Sequence, residues 1–542
     1  MSKQIRMGTP HMERVIPVRL SAEREPVPGK AQLEMSKTIR LIAAALATIL
    51  PFFAALFLSP ASSSQQSPQA TTTSARNAAM VAATSEVLKE TSEIRQLAIL
   101  RPVQSSAQSR AEIERMLIKS LDEETTPAQM HAAEVTLKRL GLAPPDFQFR
   151  ALLLRVLTEQ VAGYYDPKTR EFHLADWIDL DGQRPVMAHE LTHALQDQHF
   201  NLRRFDHWPK GDSDAELAAH ALIEGDASLA MTLYITNNPL RALAFLKSFK
   251  ATNMESPELD KAPRAVRENL LFAYLEGINW TTALYKQGGW ARVSKAFAEL
   301  PQSTEQIMHP DKYFAHEAPV KVMMPDITGL LNSVSAQSSE VRGRRSEVGG
   351  RRLEVSRFAG NADVSSALSA QREHPVGAGR TPAVGRTGQK SVPLASGDRS
   401  TQVGWKRIDY DVQGEWGIYL MLDEFLKSPT DSRRAAAGWG GDRFAVYEGP
   451  KGEVLFTSLS SWDTESDARA FFDAYVKRTG LRYQTATRIA STVITQNPAT
   501  ETRQVWKTSE GQIVVELVGS RVLIVEGLPD GLDFRSLLKA ME

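Results

Sequence analysis

Apolar residues recur at three- and four-residue steps through the first part of the chain. Ile113, Met116, Leu117 and Leu121 fall on one helical face, and the spacing predicts helices across Asn77–Leu157. Ala151–Val161 reads as a further apolar helix. The period then shortens to that of a strand. Gly163-Tyr164-Tyr165, a turn at Asp166-Pro167-Lys168-Thr169, and Glu171-Phe172-His173-Leu174 predict a short β pair, with Asp-Pro as the turn signal. A second long helix begins near Pro185, whose fixed φ suits a first turn. Helical spacing continues through Asp214–Thr232 and Ala265–Gln287.

Ser335 to Ser400 breaks this pattern. It is rich in Ser, Gly, Arg and Pro and carries a tandem of Ser339-Glu340-Val341, Ser346-Glu347-Val348 and Leu353-Glu354-Val355. One Val in seven residues is half a coiled-coil seam, and Gly343, Gly349 and Gly350 intervene, so a disordered insert is expected. Trp405–Glu542 then reads as an α+β unit. Helices are predicted at Trp416–Leu426, Ser466–Arg478 and Phe534–Met541. Strands are predicted at Arg443–Tyr447, Glu453–Ser458, Gln504–Trp506, Ile513–Val518 and Val522–Glu526.

The stretch Leu41–Leu58 is uncharged over 18 residues, follows Lys37 and Arg40, and precedes Ser59-Pro60-Ala61. That order is the one of a secretory signal. Met35 is an alternative start, which makes MSKTIR a short n-region. A retained anchor is the rival reading, because 18 residues sit at the lower limit for a span and Pro51 interrupts them. Ser62–Arg76 is then a polar tether.

Composition narrows the chemistry. Lys plus Arg is 64 and Asp plus Glu is 64, so no global field draws the chain to nucleic acid. The chain has no Cys, which excludes disulfides, thiol nucleophiles and Cys-ligated metals. A metal site must be built from His, Asp and Glu.

His189-Glu190-Leu191-Thr192-His193 supplies such a pattern. Positions i and i+4 lie on one helical face a turn apart, so both imidazoles reach one zinc ion. Glu190 is offset by one residue and stands beside the metal without ligating it, where it can serve as general base. From Val186 to Leu195 the only charges are the motif's own, and ionisable groups on so apolar a helix are costly unless paired or metal-bound. A catalytic site needs a third protein ligand. Glu224, 31 residues after His193 on a second apolar helix, is the preferred candidate; Glu216 and His220 share nearly the same face and remain alternatives. Asp226 and Asp197 are candidates to hydrogen-bond a ligand imidazole. Trp280, Trp290 and Phe272 are expected in the core.

The chain resembles the gluzincin metallopeptidases, and among them a group of predicted extracytoplasmic bacterial zinc peptidases. The likeness rests on Gly163-Tyr164-Tyr165-Asp166-Pro167, on HELTHALQDQHF (189–200), on Glu224-Gly225-Asp226-Ala227 and on STEQIMHPDKY (303–313). It extends to GWGGDR (438–443) and SWDT (461–464). It implies His189, His193 and Glu224 as ligands of one catalytic zinc ion, and Glu190 as base. It further implies an edge strand, at Gly163–Tyr165 or Phe172–Leu174, to which a peptide substrate adds by main-chain pairing. An oxyanion donor is also implied; His309 and Tyr313 are the first candidates, Tyr274 and Tyr165 the next. The thermolysin-type pattern has an Asp four residues after the ligand Glu, where this chain has Ser228.

The expected fold is therefore α+β: a zincin-like, mainly helical catalytic domain with a short edge sheet, and a smaller C-terminal α+β domain. The expected organisation is an extension and signal or anchor (1–61), a linker (62–76), the metallopeptidase domain (77–334), the insert (335–400) and an accessory domain (401–542). The expected activity is hydrolysis of peptide bonds by an extracytoplasmic zinc endopeptidase, secreted or periplasmic, with membrane attachment through Leu41–Leu58 if the signal is retained. The expected partner is a peptide or protein substrate and not nucleic acid. A zinc hydrolase of a non-peptide amide and a non-catalytic zinc-containing surface binding protein are the alternatives. Glu190 argues against the last, since a purely structural His pair needs no adjacent base.

Overall fold

The computed structural model describes residues 70–334 and 404–537, apart from 161–162, 178–179, 206–207, 209–210, 244, 246–255, 497–498, 530–531 and 533–534. The insert 335–400 and the stretch Leu41–Leu58 lie outside the described residues. Within them the chain is mainly helical with two sheets, an α+β architecture.

In the N-terminal part, α1 (Ala70–Arg95) is followed by β1 (Gln104–Gln108), α2 (Arg110–Glu124), α3 (Pro127–Leu140) and α4 (Phe149–Gln160). Two of these helices start on clear sequence signals. Ser109 and Thr126 each form a capping box, with Glu112 and Gln129 returning a side-chain bond to the cap. β2 (Gly163–Asp166) and β3 (Glu171–Ala175) form the expected antiparallel pair, with Tyr164 opposite His173. β1 carries no strand signal in the sequence. It pairs parallel with β3, giving the order β1-β3-β2. β3 is thus central, which removes Phe172–Leu174 as a docking edge, while β2 remains an edge.

Three longer helices follow, the first packed on this sheet and each on the next. α5 (Leu180–Phe200) starts before Pro185 and keeps the proline inside its first turns. α6 (Ser213–Thr236) is capped by Asp212, whose side chain accepts from the Ala215 N–H. α7 (Arg264–Ala296) is broken at Gly288-Gly289, where Gly289 takes φ 62°. Met187, Leu191 and Leu195 of α5 pack with Val87 and Leu88 of α1, with Phe172 and Leu174 of β3, and with Tyr234 of α6. Trp280, Trp290 and Phe272 are all buried in the core, as expected. Short helices α8 (Thr304–Met308) and α9 (Pro310–Phe314) follow.

The C-terminal part is a seven-stranded antiparallel sheet. Its strands are β4 (Lys406–Asp411), β5 (Trp439–Glu448), β6 (Val454–Trp462), β7 (Thr487–Gln496), β8 (Ala499–Thr508), β9 (Gly511–Val518) and β10 (Arg521–Leu528), in the order β4-β5-β6-β10-β9-β8-β7. Helices α10 (Gly414–Leu426), α11 (Pro429–Ala436) and α12 (Glu465–Arg482) accompany it. Side chains alternate as the pleat requires. Phe444, Phe456, Val515 and Ile524 face one cluster, and Ala445, Leu455, Val514 and Val525 face another. The first cluster is continuous with Ala221, Leu222, Trp280 and Leu284 of the helical part, so the two parts share one core.

The motif segments meet at this junction. Thr304 bonds Asp214 at the start of α6 through its N–H (3.1 Å) and hydroxyl (2.5 Å). His309 Nε2 lies 3.0 Å from Glu415, Lys312 reaches Asp463 at 2.6 Å, and the Val320 N–H donates to the Gly440 carbonyl at 2.6 Å. Asp442 accepts the Gln413 and Gly414 N–H groups and the Trp439 indole N–H.

The expectation of membrane attachment is corrected here. No helix among the described residues is long and apolar enough to cross a membrane. The stretch on which a signal or an anchor rested is not among them. Membrane attachment and a secreted or periplasmic location are therefore left out of the function proposed for the chain.

Candidate metal centre

α5 carries His189 and His193 one turn apart, both buried. Their Nε2 atoms lie 3.1 Å from each other, with the rings at 88°. Glu224 of α6 closes the triangle. Its Oε2 is 3.1 Å from His189 Nε2 and 3.6 Å from His193 Nε2. Two imidazoles and a carboxylate are donors zinc accepts. Bonds of about 2.0–2.1 Å in tetrahedral geometry set donors about 3.3–3.4 Å apart, and the three separations bracket that edge. The donor set therefore fits one zinc ion.

Close helix packing brings Glu224 there. Its neighbour Gly225 lies against the backbone of Gly277 in α7, and Gly277 lies against Ala221 in α6; a methyl group on either would run into a carbonyl. The same contact delivers Tyr274 of α7. Its ring centroid is 6.2 Å from that of His189, and its hydroxyl lies close enough to Glu224 and Glu190 to feel their charge. Burial, and then the negative charges of Glu224 and Glu190, push the Tyr274 pKa well above the ordinary phenol value, so it keeps its proton.

Glu190 borders the same spot, with a carboxylate oxygen within 4.8 Å of both imidazole nitrogens. Its Oε2 accepts the Tyr165 N–H at 3.0 Å, which ties this carboxylate to the edge strand β2. Burial raises its pKa, and the two imidazoles oppose the rise. In the metal-free protein, burial lowers the His193 pKa, but the Glu224 carboxylate and then Glu190 outweigh it and lift the value to about 9. Glu224 is pulled the opposite way: burial would raise it, but the two imidazoles hold it well below the carboxylate range.

Several expected roles fall elsewhere. His220 is exposed and Glu216 sits beside it, away from the triangle. His309 bonds Glu415, and the Tyr313 hydroxyl donates to the Glu299 carbonyl at 2.7 Å with its ring edge on Trp280. Both are held at the junction, by Glu415 of α10 and by Glu299 just past α7, and Tyr274 is the tyrosine that lies beside His189. The Tyr165 hydroxyl is also committed, donating to Asp197 at 3.0 Å. Asp197 holds Tyr165, Arg101 and the Leu202 N–H, and touches neither imidazole. Asp226 acts one residue further out, on Gln196. Gln196, three residues after His193 in α5, escapes a reading of the sequence. Its one signal there is its place three residues after His193, on the same helical face.

A second acidic group, Glu305, Glu317 and Asp463, has ligand atoms equally close together. Lys312 already fills it, at 2.7, 2.7 and 2.6 Å from the three carboxylates.

Residues 400–537 match a family model described as a domain of unknown function (DUF8575). No curated protein matches the chain. Among solved structures, a crystal structure of a Chloroflexus aurantiacus protein, described as a candidate hydrolase with a novel fold, aligns at 17% identity. It covers 52% of this chain and 97% of that one with a TM-score of 0.30, a likeness too distant to carry an argument.

Proposed function

We propose that the chain is a zinc-dependent endopeptidase of gluzincin type, with a zincin-like catalytic domain at 77–334 and an accessory domain at 401–542. The observation that supports this most is the triangle of His189 Nε2, His193 Nε2 and Glu224 Oε2, with no side longer than 3.6 Å. Held there, a zinc ion would polarise the scissile carbonyl and make water acidic near neutral pH.

The chain's own groups do the rest. Glu190 takes a proton from the attacking water and passes it to the leaving amine. The Tyr165 N–H fixes one of its oxygens, and the other receives the proton. Burial keeps this carboxylate more basic than a solvated one, which suits a base working near neutral pH. Tyr274, always protonated, donates a hydrogen bond to the carbonyl oxygen as negative charge builds on it. The edge strand β2 lies beside Glu190, and the edge groups other than the Tyr165 N–H, which Glu190 takes, would pair with an extended peptide. Such pairing is blind to side chains and suits an endopeptidase of broad substrates.

The test is cleavage of an unfolded protein such as casein by wild type and by Glu190→Gln. Loss of cleavage with zinc retained supports the reading, and equal turnover by the two proteins defeats it.

A further inference from the structure

Gln196 lies fully buried between the second ligand imidazole and a buried ion pair. Its Nε2 donates to the Ile223 carbonyl at 3.0 Å and to Asp226 Oδ2 at 2.9 Å. Both are acceptors only. Both oxygens of Asp226 are taken by Arg95, which grips it with two bonds of 2.5 and 3.1 Å, and neither side chain is exposed. Flipping the amide would set its oxygen against two oxygens, so the orientation is fixed. Its Oε1 therefore faces His193 Nδ1, at 2.9 Å. An amide oxygen can only accept, so Nδ1 must carry a proton, and Nε2 is the nitrogen left facing His189 and Glu224.

We propose that Gln196 is the positioning residue that sets the tautomer and ring angle of His193, and that Arg95 and Asp226 hold Gln196 in that role. The proposal rests on the metal-site reading and adds to it. It assigns the N-terminal helix α1 a part in metal retention, because Arg95 is its last residue. Arg95 is itself locked, stacked 4.4 Å from the Trp290 ring centroid and donating to Ser294 Oγ at 3.1 Å. The two ligand imidazoles are thereby unequal. His189 Nδ1 is buried and has no partner among the described residues.

Gln196→Leu keeps the volume and removes all three hydrogen bonds. Zinc affinity measured by chelator competition should fall about 10- to 100-fold, the usual effect of losing a group that orients a ligand. The loss should exceed any change in the thermal midpoint of the metal-free protein. A second measurement needs no variant. In the zinc-loaded wild type with ¹⁵N-labelled histidine, the His193 Nδ1 proton should exchange slowly with solvent and the His189 Nδ1 proton faster. Unchanged zinc affinity in a folded Gln196→Leu protein, or equal exchange at the two imidazoles, overturns the proposal. If the wild type itself takes up no zinc, the metal-site reading fails and this one falls with it. If the wild type binds zinc and the variant binds it equally well, only the relay is wrong.

Discussion

Glu190 Oε2 accepts the backbone N–H of Tyr165 at 3.0 Å, so the candidate base on α5 is bonded to the edge strand where a peptide would lie. A second bond, from the Tyr165 hydroxyl to Asp197 one turn of α5 further on from His193, fixes the same strand residue. Tyr165 is thus fastened to α5 at two points.

Loss of a ligand should empty the site. His193→Ala and His189→Ala should each reduce bound zinc from about one ion per chain to near none, and Glu224→Ala should weaken binding at least as much as loss of an orienting group, about 10- to 100-fold or more. Elemental analysis after dialysis against a weak chelator reads this directly.

Tyr274→Phe should lower kcat by about 10²–10³-fold, the cost of one lost oxyanion donor, and leave bound zinc near one per chain. His309→Gln should leave kcat within a few-fold. A variant with no donor there, His309→Leu, should instead cost about 1–3 kcal/mol of stability, because Glu415, 1% exposed, loses its partner. Steady-state kinetics beside urea unfolding separates the two classes of effect.

The metal-free protein should show a pH dependence set by His193. Its folded pKa is raised to about 9, against about 6.5 in the unfolded chain. A raised value means the folded state holds the proton more tightly. The stabilisation is fully present below about pH 6.5 and is lost as pH rises through about 9. Zinc must displace that proton, so zinc affinity should climb with pH up to about 9, and binding at pH 7.5 should release about one proton. Calorimetric titration in two buffers of different ionisation enthalpy measures the release. Zero protons released would contradict this charge state.

Gly225→Ala should push α6 away from α7, because a methyl there meets the Gly277 carbonyl. Overpacking of this kind costs about 1–3 kcal/mol. It should also weaken zinc binding, since Glu224 is the adjacent residue. Gly289→Ser is the comparison: a side chain there meets no neighbour within 4 Å, so it should strain the backbone without touching the metal.

Local pattern and tertiary geometry divide what the sequence disclosed. His189, Glu190 and His193 were legible because an i, i+4 spacing is a local geometric fact. Glu224 is the preferred ligand on sequence for its place on an apolar helix, although Glu216 and His220 share that face. The hairpin β2–β3 announced itself through Asp-Pro. β1, with the sequence QSSAQ, did not, because it has no apolar alternation and owes its existence to pairing with β3. β4 (KRIDYD) escaped for the same reason: it is mostly charged and half-buried. The contacts of Tyr274, Gln196 and Arg95 depend on which helices touch, and no spacing along the chain encodes that. His309 and Tyr313 were placed by resemblance alone, and they serve the junction with the C-terminal sheet. Asp197 and Asp226 are candidates, on the sequence, for the imidazoles or for plain helix-surface roles. Each lies one bond further out, on Tyr165 and on Gln196.

The most direct test is zinc content and casein cleavage measured on the same purified wild-type protein, with and without chelator. About one zinc per chain, with cleavage lost on chelation and regained when zinc is returned, is the predicted result. A protein that takes up no zinc, or that cleaves equally well after the metal is stripped, would contradict the account.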